Sequence, residues 1–172
     1  ARIPIPSAKR KPFALTNKNI GLICENLINQ PYGWGELYYN RDCSAMIRDL
    51  FAPFSIWLPR NSQAQAKHGG VFIDISQMEE EQKEEFIIEN GIPYLTLLWF
   101  PGHIMLYIGE KENKSLIFHN IWGLRTKDKL KRKIIGKAVI TSLKPGEELP
   151  NVDDSYNFLK RLKGMTLLIP RY

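Results

Sequence analysis

The chain has 172 residues, of which 44% are hydrophobic, and this is enough apolar material for one domain with its own core. Its 24 lysines and arginines outnumber its 18 aspartates and glutamates, so the net charge is +6. No apolar run approaches the roughly 18 residues of a membrane span, so the sequence predicts no membrane-spanning helix. A basic surface suits an anionic partner, such as a cell-wall polymer, a nucleic acid or an acidic peptide, and does not choose among them.

The predicted elements begin with a helix that follows a basic, proline-containing start. Residues 1–15 are interpreted as an extended arm or the remnant of a linker, and residues 16–172 as a single domain. Thr16 or Asn17 is placed to cap a helix that runs to about Asn29.

The chain has two cysteines, and the first lies in this helix. Cys24 belongs to an apolar helical stripe and is predicted to be a buried core residue. A Cys24–Cys43 disulfide is disfavoured, because nothing else in the chain resembles a small disulfide-stapled scaffold.

The most informative stretch is residues 31–63, which has Asp42-Cys43-Ser44 at its centre. A loop rich in glycine and aromatic residues precedes these three residues, and an apolar helical pattern follows them and ends before Pro53. Asp42 is placed to cap that helix, so Cys43 falls in its first turn, where the positive end of the helix dipole favours a thiolate. Cys43 is therefore a candidate nucleophile, and the competing interpretation is a small buried core residue.

Residues 53–91 are predicted to alternate between helix and strand. The segments are a short helix from Asn61 or Ser62 through Lys67, a strand over residues 71–75, and an acidic helix that begins at the capping box Ser76-Gln77-Met78-Glu79 and runs to Glu89, before a left-handed stop at Asn90-Gly91. The glutamates are interpreted as a solvated face, because they lack the spacing of a metal motif. His68 is interpreted as a surface residue with no role.

From Tyr94 onward the pattern changes to strands. The predicted strands are 94–100, 103–109, 115–119, 136–141 and 165–171, with a short helix near 153–162. The basic segment 125–137 is interpreted as a charged loop or a protected edge strand rather than a nucleic-acid site. Helices that come first and antiparallel-type strands that come later predict an α+β fold with a sheet of about five strands.

Two histidines lie on neighbouring predicted strands. His103 opens one strand, His119 ends the next, and residues 110–114 form the hairpin loop between the strands. We expect the two rings to lie toward the same end of the hairpin, where one can contact Cys43 and the other can orient the first. This arrangement predicts a thiol hydrolase. A zinc site made of the same three residues is the competing chemistry, but no paired metal motif supports it.

Five sequence blocks, in this order, resemble the NlpC-type cell-wall cysteine peptidases. The blocks are Pro31-Tyr32-Gly33-Trp34-Gly35, Arg41-Asp42-Cys43-Ser44, Leu58-Pro59-Arg60-Asn61-Ser62, Gly102-His103-Ile104 and His119-Asn120-Ile121-Trp122-Gly123. The resemblance covers about residues 18–171 and is closest to the subgroup that carries bacterial Src-homology-type domains ahead of the catalytic domain. It implies a compact papain-like fold in which the helix bearing the cysteine packs on an antiparallel sheet.

The resemblance also implies roles for individual residues. Cys43 is expected to be the nucleophile, His103 the general base and His119 the third, orienting residue. Tyr32 is expected to stabilise the oxyanion together with the backbone N–H of Cys43. The residues expected to bind substrate are Asp42 and Ser44, which would hold the free amine of the stem peptide's L-alanine, together with Trp34 as a wall of the pocket and Ser62. No metal or other cofactor is implied.

The implied reaction is hydrolysis of the bond between γ-D-glutamate and an L-configured diamino acid, such as diaminopimelate, in peptidoglycan stem peptides. The expected partner is therefore the stem peptide, with no nucleic acid, and the expected state is a monomer. The expected location is periplasmic or extracellular, with cytoplasmic peptide recycling as the alternative. Two other functions stay open: an inactive module that binds peptidoglycan, and another acyl transfer, such as amidase or transpeptidase chemistry, on the same scaffold.

The sequence departs from the family pattern at two points. Glu36 stands where a second glycine is expected, which changes the loop ahead of Cys43. The Src-homology-type domains, which help to close the substrate site in relatives, are absent from these 172 residues. The choice between free stem peptides and intact cell wall is therefore open.

Overall fold

The computed structural model describes residues 11–128, 131–153 and 156–169. Its strands are β1 (Val71–Asp74), β2 (Thr96–Phe100), β3 (His103–Lys111), β4 (Lys114–Arg125), β5 (Arg132–Ser142) and β6 (Gly164–Leu167). They form one antiparallel sheet in the order β1-β6-β2-β3-β4-β5. The predicted α+β fold with an antiparallel sheet is confirmed, and the sheet has six strands rather than about five.

The helices of the described residues are α1 (Asn17–Leu27), α2 (Cys43–Phe51), α3 (Ser62–His68), α4 (Glu80–Asn90) and α5 (Phe158–Arg161). Thr16, Asp42 and Asn61 cap the first three, and each side-chain oxygen accepts the backbone N–H three residues further on. None of these helices combines the length and the apolar character that a bilayer crossing requires.

Each face of the sheet carries its own apolar layer. The alternation along β3 sorts the side chains, because Ile104 and Leu106 belong to one layer and Met105 and Tyr107 to the other. The first layer also contains buried residues of α1, α2 and α3, and the second contains buried residues of α4 and α5. The helix that carries Cys43 therefore packs on the sheet as the family resemblance implies.

The two cysteines and the basic segment 125–137 agree with their predictions. Cys24 and Cys43 are buried free thiols, so no disulfide joins them. The described part of segment 125–137 contains the end of β4 and the first half of β5, and β5 is an edge strand of the sheet. The exposed charges of this segment cover that edge.

The start of α4 differs from the prediction. The capping box is formed by Glu79 and Gln82 rather than by Ser76 and Glu79, and the Glu79 N–H donates to the Gln82 side chain at 3.0 Å. The N–H of Ser76 instead donates to the Asp74 carboxylate at 2.8 Å. The chain therefore completes a turn directly after β1 before the helix begins.

The end of α4 also differs. Gly91 has an extended backbone with φ −70° and ψ 144°, so the predicted left-handed stop at Asn90-Gly91 is wrong. Glycine is needed here for space, because a Cβ would collide with the carbonyl of Ile87 and the ring of Tyr107. A glycine that ends a helix in a left-handed conformation and a glycine that is required by close packing cannot be distinguished in a sequence.

The residues ahead of α1 are described only from residue 11. Phe13 donates its N–H to the carbonyl of Pro53 at 3.0 Å, and its ring lies 6.2 Å from that of Phe54. Residues 1–10 lie outside the described residues, so the arm over residues 1–15 stays a prediction for most of its length.

Candidate active site

A cleft of about 750 Å³ opens where the loop before α2 faces the start of β3. Tyr32 and Trp34 line it from the loop, and His103 lines it from β3. The side chains of Phe100 and Phe158 complete its apolar wall. Three of the residues singled out in the sequence therefore face one space.

A line of hydrogen bonds runs from His103 into the protein. His103 Nε2 lies 2.9 Å from His119 Nδ1, and His119 Nε2 lies 3.1 Å from the hydroxyl of Thr141. The Thr141 hydroxyl donates its own proton to the carbonyl of Ser142 at 2.8 Å. The two histidines meet as the hairpin predicted, and Thr141 is a partner that the sequence did not indicate.

The direction of these bonds assigns the tautomer of both rings. Because the Thr141 proton is used on Ser142, the Thr141 oxygen accepts a proton from His119 Nε2. His119 Nδ1 is then unprotonated and accepts the Nε2–H of His103. The Nδ1 atom of His103 is left with a free lone pair, which is the state that a general base requires.

Burial keeps both imidazoles uncharged. Burial, with a smaller contribution from the charge of Arg161, lowers the pKa of His103 to about 3. Burial and the charge of His103 hold the pKa of His119 well below its usual range. The ring centres of Phe100 and Phe158 lie 5.5 Å and 5.8 Å from that of His103, and these rings keep water away.

Cys43 lies in the first turn of α2, and only 8% of its surface is exposed. Burial raises the pKa of its thiol to about 11, although the N–H of Ile104 and the N–H groups of the helix turn act in the opposite direction. The N–H groups of the helix turn favour the thiolate as predicted, but desolvation outweighs them, so the pKa of the thiol in the free protein is raised rather than lowered.

The thiol lies beside the strand that carries His103. The backbone N–H of Ile104, the residue after His103, acts on the Cys43 thiol to lower its pKa, and none of the hydrogen bonds of the described residues joins Cys43 directly to His103. The free protein thus holds an uncharged thiol near an uncharged imidazole. Catalytic hydrogen bonds are often long in free enzymes and shorten when substrate binds.

The raised thiol pKa makes a testable prediction for the free protein. The rate at which iodoacetamide alkylates Cys43 is expected to rise with pH from about 6 to 9, because only the thiolate reacts and a thiol with a pKa near 11 is protonated over this whole interval. Mass spectrometry of the modified peptide measures the rate. A rate that is already constant below about pH 7 would instead show a preformed Cys43–His103 ion pair.

Tyr32 lines the cleft from the loop before α2. Burial raises the pKa of Tyr32 to about 12; negative charge on Cys43 or Asp42 acts in the same direction, and the charge of Arg60 acts against it. The raised pKa keeps the phenol protonated, so its hydroxyl is a hydrogen-bond donor. The Tyr32 ring packs 6.0 Å from that of Trp122.

Asp42 is held by Arg60 as well as by the helix. Arg60 Nη2 donates to Asp42 Oδ2 at 2.7 Å, and Arg60 Nη1 donates to Oδ1 at 3.1 Å. Oδ1 also accepts the N–H of Ala45 and the hydroxyl of Ser44. Burial raises the pKa of Asp42, but these hydrogen bonds together hold it below its usual range, so Asp42 stays charged.

Glu36 joins the same network from the loop. Its carboxylate accepts from Arg48 at 2.6 Å and from Arg60 at 2.8 Å. Its φ angle of 69° is left-handed, which is the conformation that the expected glycine would adopt freely. The two ion pairs account for a glutamate at this position. They stabilise this conformation of the loop, whereas a glycine would allow the conformation without stabilising it.

The family assignment rests on the region that contains this site. The sequence profile of the NlpC/P60 family matches residues 29–140, a range that includes Tyr32, Cys43, His103 and His119. The chain belongs to the NlpC/P60 family. It is also 37% identical over 70 residues to a probable endopeptidase of Corynebacterium glutamicum, an alignment that spans 40% of this chain and 34% of that protein.

Solved NlpC/P60 structures share the fold. An NlpC/P60 endopeptidase of Photobacterium damselae subsp. piscicida superposes with a TM-score of 0.81 at 29% identity, over 93% of this chain and 40% of that one. The peptidoglycan hydrolase RipB of Mycobacterium tuberculosis superposes with a TM-score of 0.52 at 14% identity, over 90% of this chain and 65% of that one, and supports the fold alone. The chain thus spans well under half of the first two relatives.

The other residues expected to bind substrate are placed differently in this NlpC/P60 domain. Trp34 is 79% exposed at the cleft, and Ser44 is buried with its hydroxyl between Asp42 and Arg60. Ser62 is the first residue of α3 and lies outside the described lining of the cleft. The structure therefore groups Ser44 with Asp42, and none of the hydrogen bonds among the described residues joins Ser62 to this network.

The competing zinc site has no support in the described residues. No group of three or more histidine, cysteine, aspartate or glutamate side chains is arranged there to hold a metal ion. The nitrogens of His103 and His119 that face each other are already joined by a hydrogen bond.

Three residues of the site were missed in the sequence: Arg60, Thr141 and Arg161. Arg60 lies in a quoted family block, so that block was a usable signal for it. Thr141 is an ordinary β-branched residue of β5, and Arg161 is one of many basic residues. Only the tertiary contacts reveal these two.

Proposed function

We propose that the chain is a cysteine endopeptidase that hydrolyses the bond between γ-D-glutamate and an L-configured diamino acid in peptidoglycan stem peptides. The observation that carries the proposal is the line from Thr141 through His119, which leaves Nδ1 of His103, a residue that lines the cleft, without a hydrogen bond to the described residues. Membership of the NlpC/P60 family supports the same chemistry.

In the proposed first step, His103 Nδ1 takes the proton of the Cys43 thiol as the sulfur attacks the γ-carbonyl carbon of D-glutamate. The carbonyl oxygen becomes an oxyanion, which the Tyr32 hydroxyl and the backbone N–H of Cys43 stabilise. The imidazolium of His103 then donates its proton to the departing amine of the diamino acid. The C–N bond breaks, and a thioester on Cys43 remains.

In the second step, water replaces the amine. His103 Nδ1 removes a proton from water, the hydroxide attacks the thioester, and the Cys43 sulfur leaves and recovers the proton. His119 keeps the ring of His103 in the required tautomer and stabilises its charged form in both steps. Thr141 positions His119 in turn.

Asp42, Ser44 and Trp34 are proposed to hold the acyl part of the substrate. Asp42 is charged and has 14% of its side-chain surface exposed, so it can attract the amine of the stem peptide's L-alanine. Arg60 fixes the orientation of that carboxylate and competes for its charge. Trp34 supplies an exposed apolar wall, and Ser62, two residues after Arg60 at the start of α3, is proposed as a further contact.

Substitution of Asp42 with Asn separates recognition from helix capping. Asn caps a helix as well as Asp does, so the cap to Ala45 is retained while the negative charge is lost. We expect kcat/KM to fall roughly tenfold to a hundredfold on stem peptides with a free L-alanine amine, and much less on N-acetylated peptides. An equal loss on both peptides would assign Asp42 to stability and to the Arg60 pair alone.

Product analysis tests the proposed function. The protein is incubated with L-Ala-γ-D-Glu-diaminopimelate-D-Ala, and the products are identified by liquid chromatography and mass spectrometry. We expect L-Ala-D-Glu and the diaminopimelate-D-Ala dipeptide in equal amounts. Release at another bond would indicate amidase chemistry, a transferred acyl group would indicate transpeptidase chemistry, and binding without products would indicate an inactive peptidoglycan-binding module.

The same proposal places the protein in the periplasm or outside the cell, where its substrate lies. The net charge of +6 suits an anionic cell wall. Cytoplasmic recycling of free stem peptides is the alternative, and an export signal in the complete gene product would decide against it. A monomer is sufficient for the chemistry, because the proposed catalytic residues all come from one chain.

A further inference from the structure

The cleft has cationic side chains in its lining. Asp42 and Glu36, the carboxylates of the neighbouring network, lie outside the described lining and are paired with Arg60. The described lining contains Arg132 and Arg161 and no aspartate or glutamate. The lining is therefore positive, and none of the ion pairs among the described residues includes either arginine.

Arg161 is the more enclosed of these two cations. It is the last residue of α5, it is partly buried, and its guanidinium carbon lies 4.1 Å from the centre of the Phe100 ring. Burial lowers the pKa of Arg161, while Tyr156 acts weakly in the opposite direction. Its remaining contacts within the described residues include no ion pair and no side-chain hydrogen bond. Its planar set of N–H donors is thus free to take a carboxylate.

The Phe100 ring connects Arg161 to the reacting groups. The same ring that lies under the guanidinium packs 5.5 Å from the ring of His103. The charge of Arg161 is close enough to His103 to lower the pKa of that imidazole. In the proposed reaction His103 protonates the departing amine, so the diamino acid lies beside His103, and Arg161 is the cation that shares the Phe100 ring with His103.

We propose that Arg161 binds a carboxylate of the departing diamino acid and thereby favours diaminopimelate over lysine at that position. This inference rests on the proposed function. Diaminopimelate ends its side chain with a carboxylate beside an amine, whereas lysine ends with an ammonium group alone. Arg161 attracts the first and repels the second, and the apolar wall of Phe100 and Phe158 strengthens both effects.

A carboxylate at this place has two sources. One is the end of the diaminopimelate side chain, and the other is the main-chain carboxylate of a stem peptide that ends at the diamino acid. In a tetrapeptide with a terminal D-alanine, the side-chain carboxylate of diaminopimelate is free, and the main-chain carboxyl of the diamino acid is used in the bond to D-alanine. A tripeptide that ends at diaminopimelate or at lysine has a free main-chain carboxylate on that residue in both cases.

The test measures kcat/KM of the wild type, Arg161→Gln and Lys160→Gln on tetrapeptides that contain diaminopimelate, side-chain-amidated diaminopimelate or lysine, and on tripeptides that end at diaminopimelate or at lysine. Lys160 is the matched control, because it is the adjacent cation on α5, pairs loosely with Glu80 at 3.8 Å and does not line this cleft. Arg161→Gln is expected to lose roughly tenfold to a hundredfold on the diaminopimelate tetrapeptide and to equal or exceed the wild type on the lysine and amidated tetrapeptides, whose uncompensated ammonium Arg161 repels. Lys160→Gln is expected to match the wild type on every peptide.

The ratios within one variant remove any effect of incomplete folding. An equal loss by Arg161→Gln on every peptide would overturn the inference and leave the proposed function intact, since the wild type would still cleave. A loss confined to tripeptides of both diamino acids would keep the carboxylate contact but overturn the preference for diaminopimelate. If the wild type cleaved none of the peptides, the proposed function and this inference would fail together.

Discussion

Replacement of Cys43 with Ala is expected to lower kcat/KM on the diaminopimelate tetrapeptide by about 10⁴-fold or more, because the acyl group then has no thiol to which it can be transferred. Cys43 is buried in the first turn of α2, and the substitution removes one sulfur atom without disturbing the Asp42 cap. We expect the folded state to be retained, which thermal unfolding followed by circular dichroism will show.

Cys24 provides the matched control. It is also a buried free thiol, with 5% of its surface exposed, but it lies in α1, and burial raises its pKa to about 12. Cys24→Ala is expected to keep activity within about threefold of the wild type, with a small loss of stability from the cavity. Residual turnover of Cys43→Ala near the wild-type rate would contradict the nucleophile assignment.

Replacement of His103 with Ala is expected to have the second largest effect, a loss of about 10²–10⁴-fold in kcat, because the thiol then has no base and the departing amine no acid. His68→Ala is the control, since His68 is an exposed histidine at the end of α3. The pH dependence of the wild-type rate is a second test of the same role. The rate requires unprotonated Nδ1, and burial lowers the pKa of His103 to about 3, so the acid limb is expected below the ordinary histidine range.

The residues behind His103 predict a graded series. His119→Ala removes the partner of Nε2 and is expected to cost nearly as much as His103→Ala. Thr141→Val keeps the shape but removes the oxygen that accepts from His119, so we expect a smaller loss of roughly threefold to thirtyfold. Thr141→Ser is expected to restore most of the rate. A Val variant with unchanged kcat would show that Thr141 does not determine the tautomer.

Local features of the sequence were sufficient for the helix starts and for the meeting of the histidines. The caps at Thr16, Asp42 and Asn61 depend on a side chain and a backbone N–H only three residues apart. His103 and His119 depend on a short hairpin, in which pairing between neighbouring strands fixes which side chains share a face. Both are short-range consequences of the chain's order.

The features that the sequence did not predict depend on contacts between distant segments. Gly91 is glycine because the ring of Tyr107 lies against it, which no local pattern records. The thiol pKa of Cys43 depends on how completely β3 covers it, and burial reversed the sign expected from the helix dipole. Glu36 departs from the family pattern, and only the tertiary structure shows that Arg48 and Arg60 form ion pairs with it.

Acylation of Cys43 can be detected directly from the mass of the protein during turnover. The wild type is mixed with the diaminopimelate tetrapeptide, quenched with acid within the first turnovers, digested and analysed by mass spectrometry. We expect an L-alanyl-γ-D-glutamyl group bound as a thioester to the peptide that contains Cys43, and none in Cys43→Ala. Cleavage of the tetrapeptide with no adduct at any time, or with an adduct on another residue, would contradict this expectation.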